Sequence, residues 1–258
     1  MRRTALGLLS LLVLADPVAA ASCGSTAGQF ESWKQEFAAE ARANGVGKRG
    51  LSALTGTKYS TGTIRADRSQ HSFKLSLAQF MQKRGGAAIV SRGRKMKAAN
   101  AALFAAIEKR YGVPAGPLIA IWGMETAFGA TTGSQNTISA VATLAYDCRR
   151  SEYFTEHLYA ALKLIDTGVL SASTRGAMHG EVGQTQFLPK NILLYGADGD
   201  GGGVNLNGKA DALASTAKFL KAQGWPGGAP YRPGAFAAWN AATVYQQALA
   251  IIATRIDE

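Results

Sequence analysis

Through most of this chain, apolar residues recur at helical rather than strand spacing. Phe30, Trp33, Phe37 and Ala41 fall on one helical face, and Asn44-Gly45 supplies a stop. Gly50, Gly56, Gly62 and the Gly85-Gly86 pair then divide the sequence, which predicts short helices separated by loops. Leu103, Ile107 and Tyr111 mark a further helix that ends at Gly112, with Pro114 just beyond. The run from Ile138 to Tyr146 is apolar all round and predicts a fully buried helix. Ser151 is placed to cap the next one, whose face is Phe154, Leu158, Leu162 and Ile165 and which closes at Gly168. The segment from Gly176 to Leu206 is irregular, with dense glycine from Gly199 to Gly203. Asp211 is expected to cap a helix that reaches Gln223 and stops at Gly224-Trp225-Pro226. A last helix presents Val244, Ala248, Ile251 and Ile252. Alternating strands are scarce, so the fold class is mainly α. No internal repeat, low-complexity tract or second core interrupts the pattern.

Within it, the stretch Pro117 to Gly129 stands apart: an apolar helical run carrying one acid, Glu125. Ile121 and Trp122 precede that acid by four and three residues and Phe128 follows by three, so all share its face on a helix. An apolar surround disfavours a carboxylate and raises its pKa, as a general acid working near neutral pH requires. Glu125 is therefore the candidate acid, against the plain alternative of a hydrogen-bonded structural carboxyl.

The start of the chain is built differently. Arg2 and Arg3 precede an apolar run from Leu6 to Leu14 and small residues from Val18 to Ser22, the pattern of a secretory signal peptide too short to span a bilayer. Residues 1–22 are expected to be a leader, and 23–258 the mature, exported and soluble chain, with no later transmembrane segment. The two cysteines, Cys23 and Cys148, invite one disulfide in an oxidising compartment; lipid attachment to Cys23, which follows Ala-Ala-Ser, is the alternative.

Charge adds a possible partner. The net charge is +11, and residues 48–97 hold twelve Lys or Arg against the single acid Asp67. A face of that kind attracts polyanions. Export directs it to the carboxylate-rich bacterial wall or anionic lipid rather than nucleic acid, and a merely solvated surface is the alternative.

Four segments, GVPAGPLIAIWGMETAFGATTG, ISAVATLAYDCRR, GEVGQTQFLPKNILLYGADGDG and ADALASTAKFLKAQGW, resemble in order the motifs of the B-type lytic murein transglycosylases. The resemblance runs from about Phe30 to Trp225. It implies a lysozyme-like α+β catalytic core that cuts peptidoglycan between N-acetylmuramic acid and N-acetylglucosamine without water, leaving a 1,6-anhydro end. Glu125 matches the acid of the IWGMET motif, which protonates the glycosidic oxygen and then acts as base on the muramoyl 6-hydroxyl. One acid suffices when the substrate supplies its own nucleophile. No cofactor is implied, and the chain is expected to act as a monomer on glycan strands in the periplasm.

Other positions carry over with alternatives attached. Gln184 and Gln186 of GQTQF match a polar strip beside the cleft, or else satisfy loop backbone. Glu181 is a second cleft acid or a surface charge. Trp239 stands where the family often has tyrosine before Asn240, and either stacks on sugar or packs in the core. The serine that assists the acid in some relatives is replaced in Gly176-Ala177-Met178-His179-Gly180. Some relatives carry a calcium loop; here Asp198, Asp200 and Asp211 are candidates, but Gly196 replaces the first acid and an extra glycine lengthens the loop, so tight binding is not expected. His71, His157 and His179 show no metal-ligand spacing. The rival readings are a water-using muramidase, and a non-catalytic peptidoglycan-binding module or scaffold.

Overall fold

A computed structural model describes residues 20–69 and 75–258. Most of the expected leader and His71 lie outside the described residues. Helices dominate: α1 (Phe30–Ala43), α2 (Lys48–Thr55), α3 (Thr61–Arg68), α4 (Leu77–Lys83), α5 (Gly86–Ala99), α6 (Ala101–Tyr111), α7 (Ala115–Thr126), α8 (Thr137–Tyr146), α9 (Ser151–Thr167), α10 (Pro189–Tyr195), α11 (Lys209–Ala222) and α12 (Thr243–Asp257). The sheet is a two-stranded antiparallel pair, β1 (Gln135–Asn136) against β2 (Arg175–Gly176), with Gln135 opposite Gly176.

The core is organised around α7, in which every residue except Glu125 is buried. It packs between α5 and α12, with α6 and α11 beside it. Its approach to α12 depends on Gly116, since a Cβ there would lie 2.4 Å from the carbonyl oxygen of Ala253. Asp257 at the end of α12 accepts the Gly116 N–H at 3.0 and 3.1 Å, which places a negative charge at the start of α7 where the helix dipole favours it. The same core continues around α8, buried along its whole length as expected, and α9. On α1, Phe30, Trp33 and Phe37 stack in series with centroids 5.5 and 5.0 Å apart, and Tyr146 of α8 and Tyr159 of α9 close over them. Phe30, Trp33, Phe37 and Ala41 are all buried, and α1 stops just before Gly45, in a left-handed conformation.

Cys23 and Cys148 form the disulfide, so the sulfur of Cys23 is committed to the end of α8 rather than to a lipid. Closing a loop of that length stabilises the fold by about 4–5 kcal/mol through the unfolded chain.

Several local expectations change. Gly50 and Gly62 lie inside α2 and α3 instead of breaking them. Gly50 serves close packing: a Cβ would come within 2.6 Å of the Leu162 carbonyl oxygen on α9. Arg150, not Ser151, flanks the start of α9, and the Ser151 hydroxyl donates back to the Ala145 carbonyl at 2.6 Å. Asp211 is the third residue of α11 and caps a loop rather than its own helix. On α12 the buried stripe is Tyr245, Ala248, Leu249, Ile252, Ala253 and Ile256, with Val244 and Ile251 at its margins. The stripe follows the partner helix α7, and the tyrosine belongs to it.

Candidate active site

The Glu125 helix ends one residue after the acid. Ala127 and Phe128 then adopt φ of 50° and 63°, so Phe128 leaves the helical face on which its spacing placed it. Its ring meets Trp122 edge-on at 5.3 Å, under the Arg92 guanidinium. The third non-glycine residue with positive φ among those described is Gln186, at 59°. Backbone of this kind costs of order 1 kcal/mol or more per residue and persists only where the surroundings impose it. Here Thr126 ties the segments together, donating its hydroxyl to the Gln184 carbonyl at 2.6 Å and accepting the Gly129 N–H at 2.9 Å.

Glu125 opens into a cleft of about 310 Å³, lined also by Tyr153, Glu181, Gln186, Trp239 and Asn240. Two donors converge on one of its oxygens: the Tyr245 hydroxyl reaches Oε1 at 2.6 Å and the Trp239 indole N–H at 3.0 Å. Among the described residues no hydrogen bond reaches Oε2. Burial pushes the Glu125 carboxyl above its ordinary pKa; the bonds from Tyr245 and Trp239 and the charge of Arg84 pull against it, and the charge of Glu181 adds to the rise. Burial and the neighbouring Glu125 hold the Tyr245 hydroxyl well above its usual range, so it remains a donor. The Tyr245 ring packs on Phe80 and lies near the Arg84 guanidinium.

Trp239 therefore combines two functions. Its rings pack edge-on against Phe187 and Phe219, each at 5.5 Å, and its N–H holds the acid. Asn240 lies beside it, with Oδ1 accepting the Ala242 N–H at 2.9 Å. Gln186 donates its amide to the Gly183 and Thr132 carbonyls at 2.9 and 3.3 Å, while no described group bonds its Oε1. Gln184 stands apart from the cleft lining, with both ends of its amide engaged inside the fold: Oε1 accepts the Trp122 indole N–H at 2.8 Å, and Nε2 donates to the Asn207 carbonyl at 2.6 Å. Glu181 is no surface charge: its side chain is 24% exposed and hydrogen-bonded to His179. The motifs and helical spacing single out neither Tyr245 nor Arg84. A tyrosine on the stripe shared by Ala248, Leu249, Ile252 and Ile256 was the available signal, because a buried hydroxyl needs an acceptor.

Asp147 is buried away from the cleft, where Arg68 bonds it at 2.7 Å. The disulfide leaves Cys148 no free thiol. Burial first, then the charge of Lys190, pushes the His157 imidazole down to about 4, and its Nδ1 accepts the Lys190 N–H at 3.2 Å.

In the glycine-rich loop, Asp198, Asp200 and Asp211 bring ligand oxygens within 4.8 Å of one another. Those oxygens are turned to the loop itself. Asp198 accepts backbone N–H groups of Asp200, Gly201 and Gly203, and Asp211 those of Gly199 and Asn205. Calcium takes six to eight oxygens. Gly196, Gly202 and Gly203 supply no side-chain ligand, and the three carboxylates are the side chains that could hold a cation here.

A larger groove of about 650 Å³ opens between α2, α8 and α9. Lys48, Arg49 and Lys58 line it and no acid does, so the acid chemistry belongs to the Glu125 cleft.

The chain is similar to the membrane-bound lytic murein transglycosylase B of Escherichia coli K12, 36% identical over 118 residues that are 45% of this chain and 33% of that protein. It is similar in structure to SltB3 of Pseudomonas aeruginosa, solved with NAG-anhNAM-pentapeptide, at a TM-score of 0.72 and 37% identity over 78% of this chain and 55% of that one. The E. coli lytic transglycosylase Slt35, solved with bulgecin A, shares the fold at a TM-score of 0.78 and 20% identity, over 92% of this chain and 96% of that one. The chain thus spans about a third of the first relative's length and about half of the second's. Residues 29–241 match the transglycosylase SLT domain, and with the helical fold and the acid-bearing cleft in place, the chain belongs to that family.

Proposed function

We propose that this chain is a peptidoglycan lytic transglycosylase, cleaving the β-1,4 bond between N-acetylmuramic acid and N-acetylglucosamine with Glu125 as its acid and base. The observation that carries the reading is the asymmetry of the Glu125 carboxyl. Tyr245 and Trp239 both bond Oε1, which leaves Oε2 to carry the proton into the cleft. Burial favours the protonated form at the start of the cycle, and the two donors stabilise the carboxylate once the proton has left.

The steps follow from that geometry. Glu125 Oε2 gives its proton to the glycosidic oxygen as the bond to the muramoyl C1 breaks. The electron pair leaves with that oxygen, and the N-acetylglucosamine end departs as an alcohol. The muramoyl 6-hydroxyl attacks C1 and its proton passes to the Glu125 carboxylate, which regenerates the acid and leaves a 1,6-anhydro ring. An intramolecular nucleophile avoids the entropy cost of recruiting a second molecule.

The relatives support the substrate class, since SltB3 was solved with an anhydromuramoyl peptide. The reading extends to residues 23–258 as one catalytic domain acting as a monomer on glycan strands outside the cytoplasm, in the periplasm, after removal of the leader. The groove lined by Lys48, Arg49 and Lys58 offers cations to wall carboxylates. No described helix is long and apolar enough to cross a membrane. The test is mass spectrometry of muropeptides released from purified sacculi by the mature protein and by Glu125→Gln. Anhydromuramoyl ends lost in the variant are expected. Hydrated reducing ends would mark a muramidase, and binding without release a non-catalytic module.

A further inference from the structure

The cleft holds a second carboxylate that these steps leave unused. Glu181 lines it together with Glu125, on a loop whose backbone is closely pinned. The Glu181 carbonyl accepts the Ala177 N–H at 2.8 Å, and the next residue, Val182, exchanges hydrogen bonds with Phe187 at 2.8 and 3.0 Å. His179 holds both carboxylate oxygens: its backbone N–H reaches Oε2 at 3.1 Å, and its ring Nδ1 lies 3.2 Å from Oε1.

The other ring nitrogen, Nε2, is buried and without a partner. A buried N–H with no acceptor is costlier than a buried lone pair beside a satisfied N–H, so the ring proton belongs on Nδ1, where it donates to Glu181. The imidazole is thereby a one-sided device aimed at the carboxylate. Burial alone would push the Glu181 carboxyl up, but the hydrogen bonds from His179 and the backbone N–H groups outweigh it and hold it below its ordinary value. Burial instead dominates at Glu125 and lifts it, with the Glu181 charge contributing to the rise. Two carboxyls in one cleft are pushed apart in this way, one downward and the other upward.

We propose that His179 and Glu181 form a positioning couple, in which His179 fixes the Glu181 carboxylate in the cleft that Glu125 also lines, as an anionic acceptor for a sugar hydroxyl or amide N–H. The couple rests on the reading of Glu125 as acid and base. The charged and titratable groups acting on Glu125 are Tyr245 from α12, Arg84 from the end of α4, and Glu181. Those near Glu181 are His179 on its own loop and His157 on α9, the latter also under the charges of Glu156, Arg150 and Lys190. Arg84 opposes the effect of Glu181 on the Glu125 carboxyl.

The experiment is sacculus digestion across a pH series by the wild-type mature protein and by Glu181→Gln, His179→Asn and His179→Leu, with thermal unfolding of each. Glu181→Gln keeps the shape and removes the charge, so Glu125 loses its proton at lower pH. The alkaline limb of the rate profile should move down by roughly half a unit to one unit, and KM should rise several-fold. His179→Leu should lower kcat/KM several-fold, and His179→Asn, which keeps a donor near Nδ1, should restore most of it. A wild-type limb and KM in Glu181→Gln would overturn the couple, as would losses that merely follow a lower unfolding temperature. An inactive wild type would instead overturn the transglycosylase reading, so the two failures are distinguishable.

Discussion

Two inward-facing carboxyls in this molecule are treated in opposite ways. Asp67, its side chain 1% exposed, is surrounded by guanidinium groups: Arg149 Nε donates to Oδ2 at 2.7 Å, Arg68 to the same oxygen at 3.3 Å and Arg150 to Oδ1 at 3.2 Å. Glu125 meets a phenol and an indole, both neutral. Burial pushes both acids up, but at Asp67 the bonds and charges of Arg149 and Arg150 prevail and hold it below its ordinary value, whereas at Glu125 burial prevails. Full charges lock a carboxylate in one state. Neutral donors leave it able to hold a proton and to release it, and an acid/base needs that freedom.

The largest expected effect tests the purpose of the difference. Glu125→Gln should abolish release of anhydromuropeptides by about three orders of magnitude, while raising the unfolding temperature. A raised carboxyl binds more protons folded than unfolded, so its ionisation costs stability as pH climbs above the usual carboxylate range. The stability gain should therefore be present at neutral pH and absent in acid, which a pH series of thermal melts will check.

Next in size is the covalent frame of the Asp67 cluster, since Cys148 lies between Asp147 and Arg149. Replacing both cysteines by serine should cost about 4 kcal/mol in denaturant titrations, with the rate on sacculi at low temperature little changed. Asp67→Asn should cost about 2 kcal/mol at neutral pH and again spare the rate. Its sign with pH is opposite to that of Glu125. A depressed carboxyl contributes stability above its unfolded pKa and loses it as pH falls through the lower folded value, so the variant should match wild type only in strong acid. An Asp67→Asn protein that melts normally but digests slowly would erase the contrast between the two sites.

The smallest effect sharpens it. Tyr245→Phe removes a donor to Glu125 Oε1, so the carboxylate is stabilised less and the alkaline limb of the rate should move to higher pH, with kcat lower by about tenfold. That direction is opposite to the one expected for Glu181→Gln, and a pair of rate profiles distinguishes the two contributions.

Glu125 was legible because its environment is local. Ile121 and Trp122 lie within one turn, and a run of apolar residues on one helix announces a buried acid without knowledge of anything else. The stacked face of α1, the buried α8 and the closing Gly112 and Gly168 were legible for the same reason, and the two cysteines pair as their number suggested. Asp211 shows the limit. Its spacing before an apolar run suits a cap, yet its oxygens bond Gly199 and Asn205 across the loop, because those N–H groups reach it only after the loop folds.

The sequence by itself determined a mainly helical chain, the identity of the acid-bearing helix and the apolar setting that makes its proton hard to remove. Tertiary structure alone decided which oxygen of Glu125 is held, by bringing Tyr245 and Trp239 to it across 120 and 114 residues. It also decided that Gln184 turns to Trp122 and Asn207, and that Glu181 faces the cleft in the grip of His179. The physical reason is one of range. Helix formation and burial periodicity act over a few residues, whereas a hydrogen bond demands an approach of about 3 Å, and only the packed fold brings residues remote in sequence that close.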